Sequence, residues 1–569
     1  MICKNCGVEL EENAVFCGKC GSKVEVEESA TAMEQEAEVV EITDDIKEVS
    51  EGADVEVAEG EVPPKKKKKK WIKWTAIGLI VALLGTGVVF GFPYINNTFW
   101  NIVLSDEDYF KHVVENNASD YVEKMADAYA EVMELYKNGE TLQYDGKVTV
   151  GQKTKDFVSE YSYQYVDINW LDSISYSGNS GYKDGKLYTD TTINVNGDKF
   201  TDYNTIMDED AMYLDFPGLS DGGLRVEHED GSEVIWQAIS AFYEVSPDKE
   251  VFKELYVRYI NCLTENITEV EKKSDTITAG TVSKKYTKLS AKIDEKVVEK
   301  SLENVLTVAK DDEDIKELIT DFCNADAISA DADVVYEDFR DGIDDLIDEL
   351  DINADFEFNF NIWVDAKGDI VGMGVECDDG DVDFEFYYAN VLDVNLFSDS
   401  AMGTIVEFSL PEGSITFEGT GTLDSSAGKF GGEYTFAVKG MDVADIKLID
   451  LDYELLKKDI FNGKIEITVA DDVKELLKQT GDSAALLVAN AKIEVNSKTT
   501  EKYKYAVDVV VSSNNDTLLT ANISTSVIKT AVPKISKYIN AKDSKSQLWY
   551  TNLTENALNK LRGLGFNMV

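Results

Sequence analysis

The chain has 569 residues and a formal net charge of −54, with 109 Asp plus Glu against 55 Lys plus Arg. Its hydrophobic fraction of 43% and its 51 Phe plus Tyr suffice for real cores, which excludes global disorder, and the length allows several domains. A field of this sign repels nucleic acid, anionic lipid and polyanionic wall polymers and favours cations and basic partners. Only four residues are Arg, so bidentate clamps for phosphate or carboxylate are scarce.

The first twenty-odd residues carry two C-x-x-C pairs, Cys3/Cys6 and Cys17/Cys20, each followed by glycine (Gly7, Gly21), with the apolar pair Val15-Phe16 between them. Two residues between cysteines let both sulfurs of one turn reach one ion, and the glycines permit the tight backbone of a knuckle. Four thiolates suit a tetrahedral Zn²⁺ and leave no open position for catalysis. In a reducing compartment this spacing reads as metal rather than disulfide. So short a segment has no core of its own, and its folding is expected to depend on the metal. Lys4, Lys19 and Lys23 are balanced by Glu9, Glu11 and Glu12, which argues against nucleic acid as a partner.

Residues 25–64 are acidic and poor in aromatics, the composition of a disordered tether. The basic segment 65–73 follows, and residues 74–94 then run without a charge. As a helix this stretch spans roughly 30 Å, the thickness of a bilayer's hydrocarbon. Trp71 and Trp74 flank one end, and Phe92, Tyr94 and Trp100 the other, an interfacial aromatic pattern. The lysines precede the span and the first charge after it is Asp106. The positive-inside rule therefore expects a single-pass protein of the cell membrane, N-terminus cytoplasmic and C-terminal bulk extracytoplasmic. Gly87 and Gly91 have the spacing of a helix-pairing motif. The segment up to residue 94 carries −7 and the remainder −47.

The cysteine pattern resembles the short zinc ribbon at the N-terminus of many bacterial membrane proteins. The order of parts (ribbon, charged linker, basic run, single span, large exterior) resembles the zinc-ribbon-anchored envelope proteins of low-GC Gram-positive bacteria. That resemblance covers about the first 100 residues. It implies a role in cell-wall or envelope stress, with one structural zinc on Cys3, Cys6, Cys17 and Cys20 and a possible cytosolic protein partner at the ribbon.

Beyond the span the expected class is α+β, antiparallel meanders packed with helices, divided as 95–300 and 301–569. Residues 106–137 have helical spacing behind a Ser105 N-cap. Residues 148–213 alternate, and Asp145-Gly146, Asp184-Gly185 and Asn196-Gly197 read as hairpin turns joining at least five strands. Residues 233–264 read as helical, 276–289 as one strand, and 292–322 and 334–350 as helices. Strands joined by turns such as 366–369 dominate from 356 to 526. Two helices close the chain, near 533–539 and at 553–562, the second capped by Asn552 and stopped by Gly563.

Catalytic signatures are scarce. His112 and His228 are the only histidines, which speaks against a histidine triad or an H-E-x-x-H zinc site. Ser526 and Lys529 match S-x-x-K without the companion motifs and read as coincidence. Two acid clusters, Asp378, Asp379, Asp381 and Asp383, and Asp341, Asp344, Asp345, Asp348 and Glu349, match no EF-hand and read as solvated surfaces. Cys262, Cys323 and Cys377 read as buried thiols, with one disulfide and one leftover thiol the other arrangement. The expectation is a non-enzymatic, membrane-anchored envelope protein whose acidic exterior binds an extracytoplasmic protein or envelope ligand. The alternatives are a half-barrel carrier of lipid or another apolar ligand, a fold-level analogy, and a carboxylate-dependent cell-wall hydrolase.

Overall fold

Among the described residues, twenty strands form one continuous sheet. The computed structural model describes residues 101, 103–161, 167–228, 243, 249–324, 331–350, 352, 356–378, 383–393, 399–535 and 537–566. Cys3, Cys6, Cys17, Cys20, the acidic linker, the lysine block and the 74–94 span lie outside the described residues.

The first half of the chain contributes α1 (Asp106–Lys137), β1 (Glu140–Val150), α2 (Gln152–Tyr161), β2 (Ser173–Lys183), β3 (Lys186–Val195), β4 (Asp198–Met207), β5 (Ala211–Asp215), β6 (Gly223–Glu227), α3 (Lys249–Glu265), β7 (Val270–Ala279) and β8 (Val282–Asp294). The helices α4 (Glu295–Lys310), α5 (Glu313–Asn324) and α6 (Ala332–Asp348) come next. Then follow β9 (Glu357–Val364), β10 (Ile370–Asp378), β11 (Asp383–Asp393), β12 (Ser400–Leu410), β13 (Gly413–Asp424), β14 (Lys429–Val438) and β15 (Met441–Asp452). The chain ends with α7 (Tyr453–Leu456), β16 (Asn462–Val469), α8 (Asp471–Thr480), α9 (Ser483–Ala489), β17 (Ala491–Lys498), β18 (Ala506–Ser513), β19 (Asp516–Lys529), β20 (Tyr538–Asn540) and α10 (Ser546–Gly563).

In space the sheet starts at β7 and proceeds in chain order, antiparallel, to β19. There β19 pairs with β1, bringing Leu519 opposite Val150 across a long sequence separation. The meander continues through β2 to β6, and β20 closes the edge as a parallel neighbour of β6.

The β7 end curls. Gly280 N–H donates to Glu418 Oε1 at 2.8 Å and Thr281 N–H to Thr420 Oγ1 at 2.8 Å, so the β7–β8 tip rests on β13. Gly403 permits the approach, since a Cβ there would stand 2.0 Å from the Ala279 carbonyl oxygen. Ile277, Ala279, Val282, Tyr286, Trp363, Ala389 and Val391 fill the inside of the curl.

The outer face at this end carries the main core. Leu289, Phe358, Phe360, Ile362 and Val375 are at most 1% exposed and pack with Tyr109, Phe110 and Val113 of α1, Ile260 and Leu263 of α3, and Val298 of α4. Alternation in the strands and i, i+3, i+4 spacing in α1 direct these residues to one interface. Ser105 caps α1 by accepting from the Asp108 N–H, as its sequence predicts. Asn117 pins the β9–β10 turn to α1, donating to the Gly368 carbonyl at 2.9 Å and accepting from the Ile370 N–H at 3.1 Å.

The mixed α+β class and the dominance of antiparallel strands agree with the sequence. Asp184-Gly185 and Asn196-Gly197 are the hairpin turns expected of them, with positive φ at all four residues. Asp145-Gly146 is no turn. It lies inside β1, where Gly146 makes room for the Tyr176 ring, 2.3 Å from where a Cβ would stand. The α2 helix interrupts the expected meander, and 276–289 belongs to the β7–β8 hairpin rather than to a single strand. The helix expected over 292–322 is two, separated at Asp311-Asp312, because Asp312 turns inward to meet Arg258. Of the helix expected over 533–539, the described residues form none: 533–535 and 537 belong to no regular element, and Tyr538 and Ile539 lie in β20, where pairing with β6 supplies the backbone partners that a short helix would make internally. The last helix starts at Ser546, before Asn552, anchored by Trp549, whose indole donates to the Gly222 carbonyl at 2.8 Å. It includes Gly563. Cys262, Cys323 and Cys377 are buried thiols.

Candidate ligand-binding face

Strands β15–β19 largely alternate, with exceptions at Ile449, Val510 and Leu518, and their register aligns the alternation. Leu448, Ile465, Val495, Val509 and Ala521 stand side by side across five strands, continued by Val148 of β1. Beside this row runs a second, Ile446, Ile467, Ile493, Val511 and Leu519, continued by Val150. Two adjacent rows of branched apolar side chains on one side of a sheet make a contiguous greasy surface.

The opposite side of the same strands carries charge. Lys464 lies 2.5 Å from both Glu466 and Glu494, and Lys492 lies 3.1 Å and 3.0 Å from the same two carboxylates. Lys447 extends the lattice to Glu433 at 2.6 Å. Hydrogen bonds from Lys464 and Lys492 hold the Glu494 carboxyl down to about 2 and lower that of Glu466. The lattice keeps its four paired charges off the apolar rows, where their desolvation would be costly.

The apolar rows are not buried. Each of Ile446, Leu448, Ile465, Ile467, Ile493, Val495, Val509 and Val511 is only partly covered. Nearby on the sheet, Ile523 is 41%, Ile415 45% and Phe408 38% exposed. By contrast, β8–β10 lie beneath α1, α3 and α4, and Leu224 of β6, fully buried, lies at the end held by α10. Complete burial of one such side chain contributes about 1.5–3 kcal/mol. Two incompletely covered rows therefore hold in reserve the remaining fraction of that burial, a stabilisation on the order of a few kcal/mol for whatever completes it. Contiguous apolar patches of this kind mark interaction surfaces on soluble domains.

The sequence-marked catalytic candidates do not converge. His112 contacts Asn116 on its own helix, while His228 meets the Asp208 carbonyl at 2.8 Å. Ser526 sits mid-strand in β19 and donates to Gln143 Oε1 at 3.1 Å, and Lys529 ends the same strand. Among the described residues no group of three or more His, Cys, Asp or Glu could hold a metal ion, the Asp341–Glu349 cluster on and just after α6 included. Asp379 and Asp381 of the other cluster lie outside the described residues. No helix among the described residues is long and apolar enough to cross a membrane.

The apolar face went unmarked by motif reading. Its alternation is legible, at 446/448, 465/467, 493/495 and 509/511. Alternation says that one side of a strand is apolar, but whether a helix covers that side is decided by elements distant in the chain.

Residues 2–24 match the zinc-ribbon domain family. No curated protein and no solved structure matches the chain. The chain therefore carries a zinc-ribbon domain at its N-terminus, which implies zinc binding.

Proposed function

We propose that this chain is a non-enzymatic, membrane-anchored envelope protein whose large extracytoplasmic sheet holds an apolar ligand. Residues 74–94 cross the membrane once, with the lysines of 65–73 on the cytoplasmic side. The ribbon then lies in the cytoplasm, where Cys3, Cys6, Cys17 and Cys20 hold one structural Zn²⁺. The donor set fits that ion, being four soft thiolates in two C-x-x-C turns with no fifth ligand, and its role is to fold the ribbon.

The observation that carries the reading is the incompletely covered double row of Ile, Leu and Val on β15–β19, backed by an ion-pair lattice. Of the exterior roles open to the sequence, binding of an apolar ligand uses this surface best. An acyl chain lying across the strands would meet apolar side chains at every step. The second reading is a protein partner presenting an apolar face.

The test is native mass spectrometry of the full-length protein released gently from membranes. The expected result is co-purified lipid on the wild type and its loss in Ile493→Glu and Val509→Asp. An empty wild type, together with crosslinks from this face to one envelope protein, would favour the second reading. The topology is tested separately with protease on intact cells, which should remove the C-terminal bulk and spare the ribbon.

A further inference from the structure

A cavity of about 520 Å³ lies at the opposite end of the sheet from the curl. Its floor is β3–β5, with Lys186, Ile206, Asp208 and Tyr213. One wall is the segment 532–535, and Tyr538 of β20 stands at its side. It opens on the other side of the sheet from Val148 and Val150, as the strand register from β1 to β3 shows, so it is independent of the apolar rows. Its size is that of a small-molecule site.

Three features limit what fits. First, Tyr538 is 48% exposed, yet its ring is held by Tyr213, edge to face at a centroid distance of 5.4 Å and an angle of 72°. An oriented, accessible aromatic face gives an apolar platform with a polar tip. Second, two of the charged lining groups satisfy each other, and a further pair stands behind Tyr213. Lys186 lies 2.6 Å from Asp208, whose hydrogen bond raises the lysine's pKa. Arg225, next to Tyr213 on β6, pairs with Glu227 and donates from Nε to the Tyr213 hydroxyl at 3.3 Å. Such groups keep spare donor and acceptor sites in fixed directions, suited to several hydroxyls at once.

Third, the cavity is electrically balanced. Asp184 and Asp208 are matched by Lys186 and Lys534 in a chain of net charge −54. A site for an anion or a cation would carry an excess of the other sign. A neutral ligand with a flat C–H face and many hydroxyls meets all three conditions.

We propose that this cavity binds a neutral saccharide, with one sugar ring lying on Tyr538 and its hydroxyls bonded to Lys186 and Asp208. The experiment uses the full-length protein in detergent micelles, titrated with β-1,4-linked N-acetylglucosamine tetrasaccharide and, in parallel, maltotetraose. Binding is followed by saturation-transfer NMR and calorimetry. The expected result is saturable binding of at least one tetrasaccharide, weakened tenfold or more by Tyr538→Ala and by Lys186→Met. Tyr550→Ala, equally exposed but outside the cavity, should leave it unchanged. The two sugars distinguish an N-acetylated wall-type glycan from a glucan. Absence of saturable binding by both, or binding that Tyr538→Ala leaves intact in a variant with an unaltered melting temperature, overturns the proposal.

Discussion

Arg258 of α3 and Asp312, between α4 and α5, meet at 2.5 Å with the aspartate side chain wholly shielded from solvent. The same oxygen accepts from the Tyr259 hydroxyl at 2.8 Å, and the second guanidinium nitrogen of Arg258 reaches Asp314 at 2.8 Å. One carboxylate thus ties the helix beneath the main core to the start of the acidic helices. Removing one partner of a buried pair leaves the other uncompensated. Asp312→Ala should cost about 2–4 kcal/mol, discounted for the partial exposure of Arg258. Thermal melts should show the loss, and hydrogen exchange should place it in α3 to α5.

The same residue sets an acid limit. Burial alone would raise the Asp312 carboxyl, but hydrogen bonds from Arg258 and Tyr259 outweigh it and hold the value below the ordinary 3.8. A depressed carboxylate contributes stability that is fully present above its unfolded value and lost as pH falls through the folded one. The contribution should hold above about pH 4 and fade below it. Acid titration of wild type against Asp312→Asn, followed by circular dichroism, should show the two curves converging below pH 4.

Asp369 has the opposite sign. Burial, and then the neighbouring charge of Asp365, push its carboxyl up to about 6 in the turn that Asn117 pins to α1. Between the unfolded value of 3.8 and about 6 the folded state binds the extra proton, so stability falls as pH rises through that window. Above pH 6 the folded chain bears a disfavoured charge. Asp369→Asn should therefore stabilise by about 1–2 kcal/mol at pH 7.5 and have no effect at pH 3.5. Equilibrium denaturation at the two pH values checks both halves.

The span of α1, the two I′ turns and the alternating strands were legible because each depends on neighbouring residues: a cap at Ser105, an Asn-Gly or Asp-Gly pair, a period of two. What escaped depended on distant contacts. Gly146 looks like a turn residue until Tyr176 is placed over it from the next strand. The break at Asp311-Asp312 follows from Arg258, more than fifty residues earlier, and 538–540 is a strand because β6 offers it an edge. The zinc-ribbon pattern was readable since its spacing encodes its chemistry. The apolar face and the cavity beneath residues 532–535 were not, because they are properties of what covers a surface.

The curl at β7–β13 rests in part on the absence of a side chain at Gly403. A methyl group at 403 would stand 2.0 Å from the Ala279 carbonyl oxygen, and backbone at that separation must move. Gly403→Ala should lift the hairpin tip from β13, breaking the Gly280–Glu418 and Thr281–Thr420 hydrogen bonds. The cost expected for such overpacking is about 1–3 kcal/mol. The amides of Gly280 and Thr281 should lose protection against exchange, while β15–β19 keep theirs. A variant with wild-type protection at both amides would show that the tip does not need this contact.

Zinc should matter at one end of the chain only. The zinc-ribbon match covers only residues 2–24, too few for a hydrophobic core, so its folding is expected to depend on metal. The sheet draws its stability from buried residues such as Phe358, Phe360 and Ile362 and from ion pairs such as Lys464–Glu494, in which no metal takes part. A strong chelator, or Cys17→Ser with Cys20→Ser, should therefore release zinc and open the ribbon to proteolysis. The melting temperature and the near-ultraviolet dichroism of the aromatic-rich sheet should remain unchanged. Zinc loss that also lowered that melting temperature would mean that the ribbon braces the sheet.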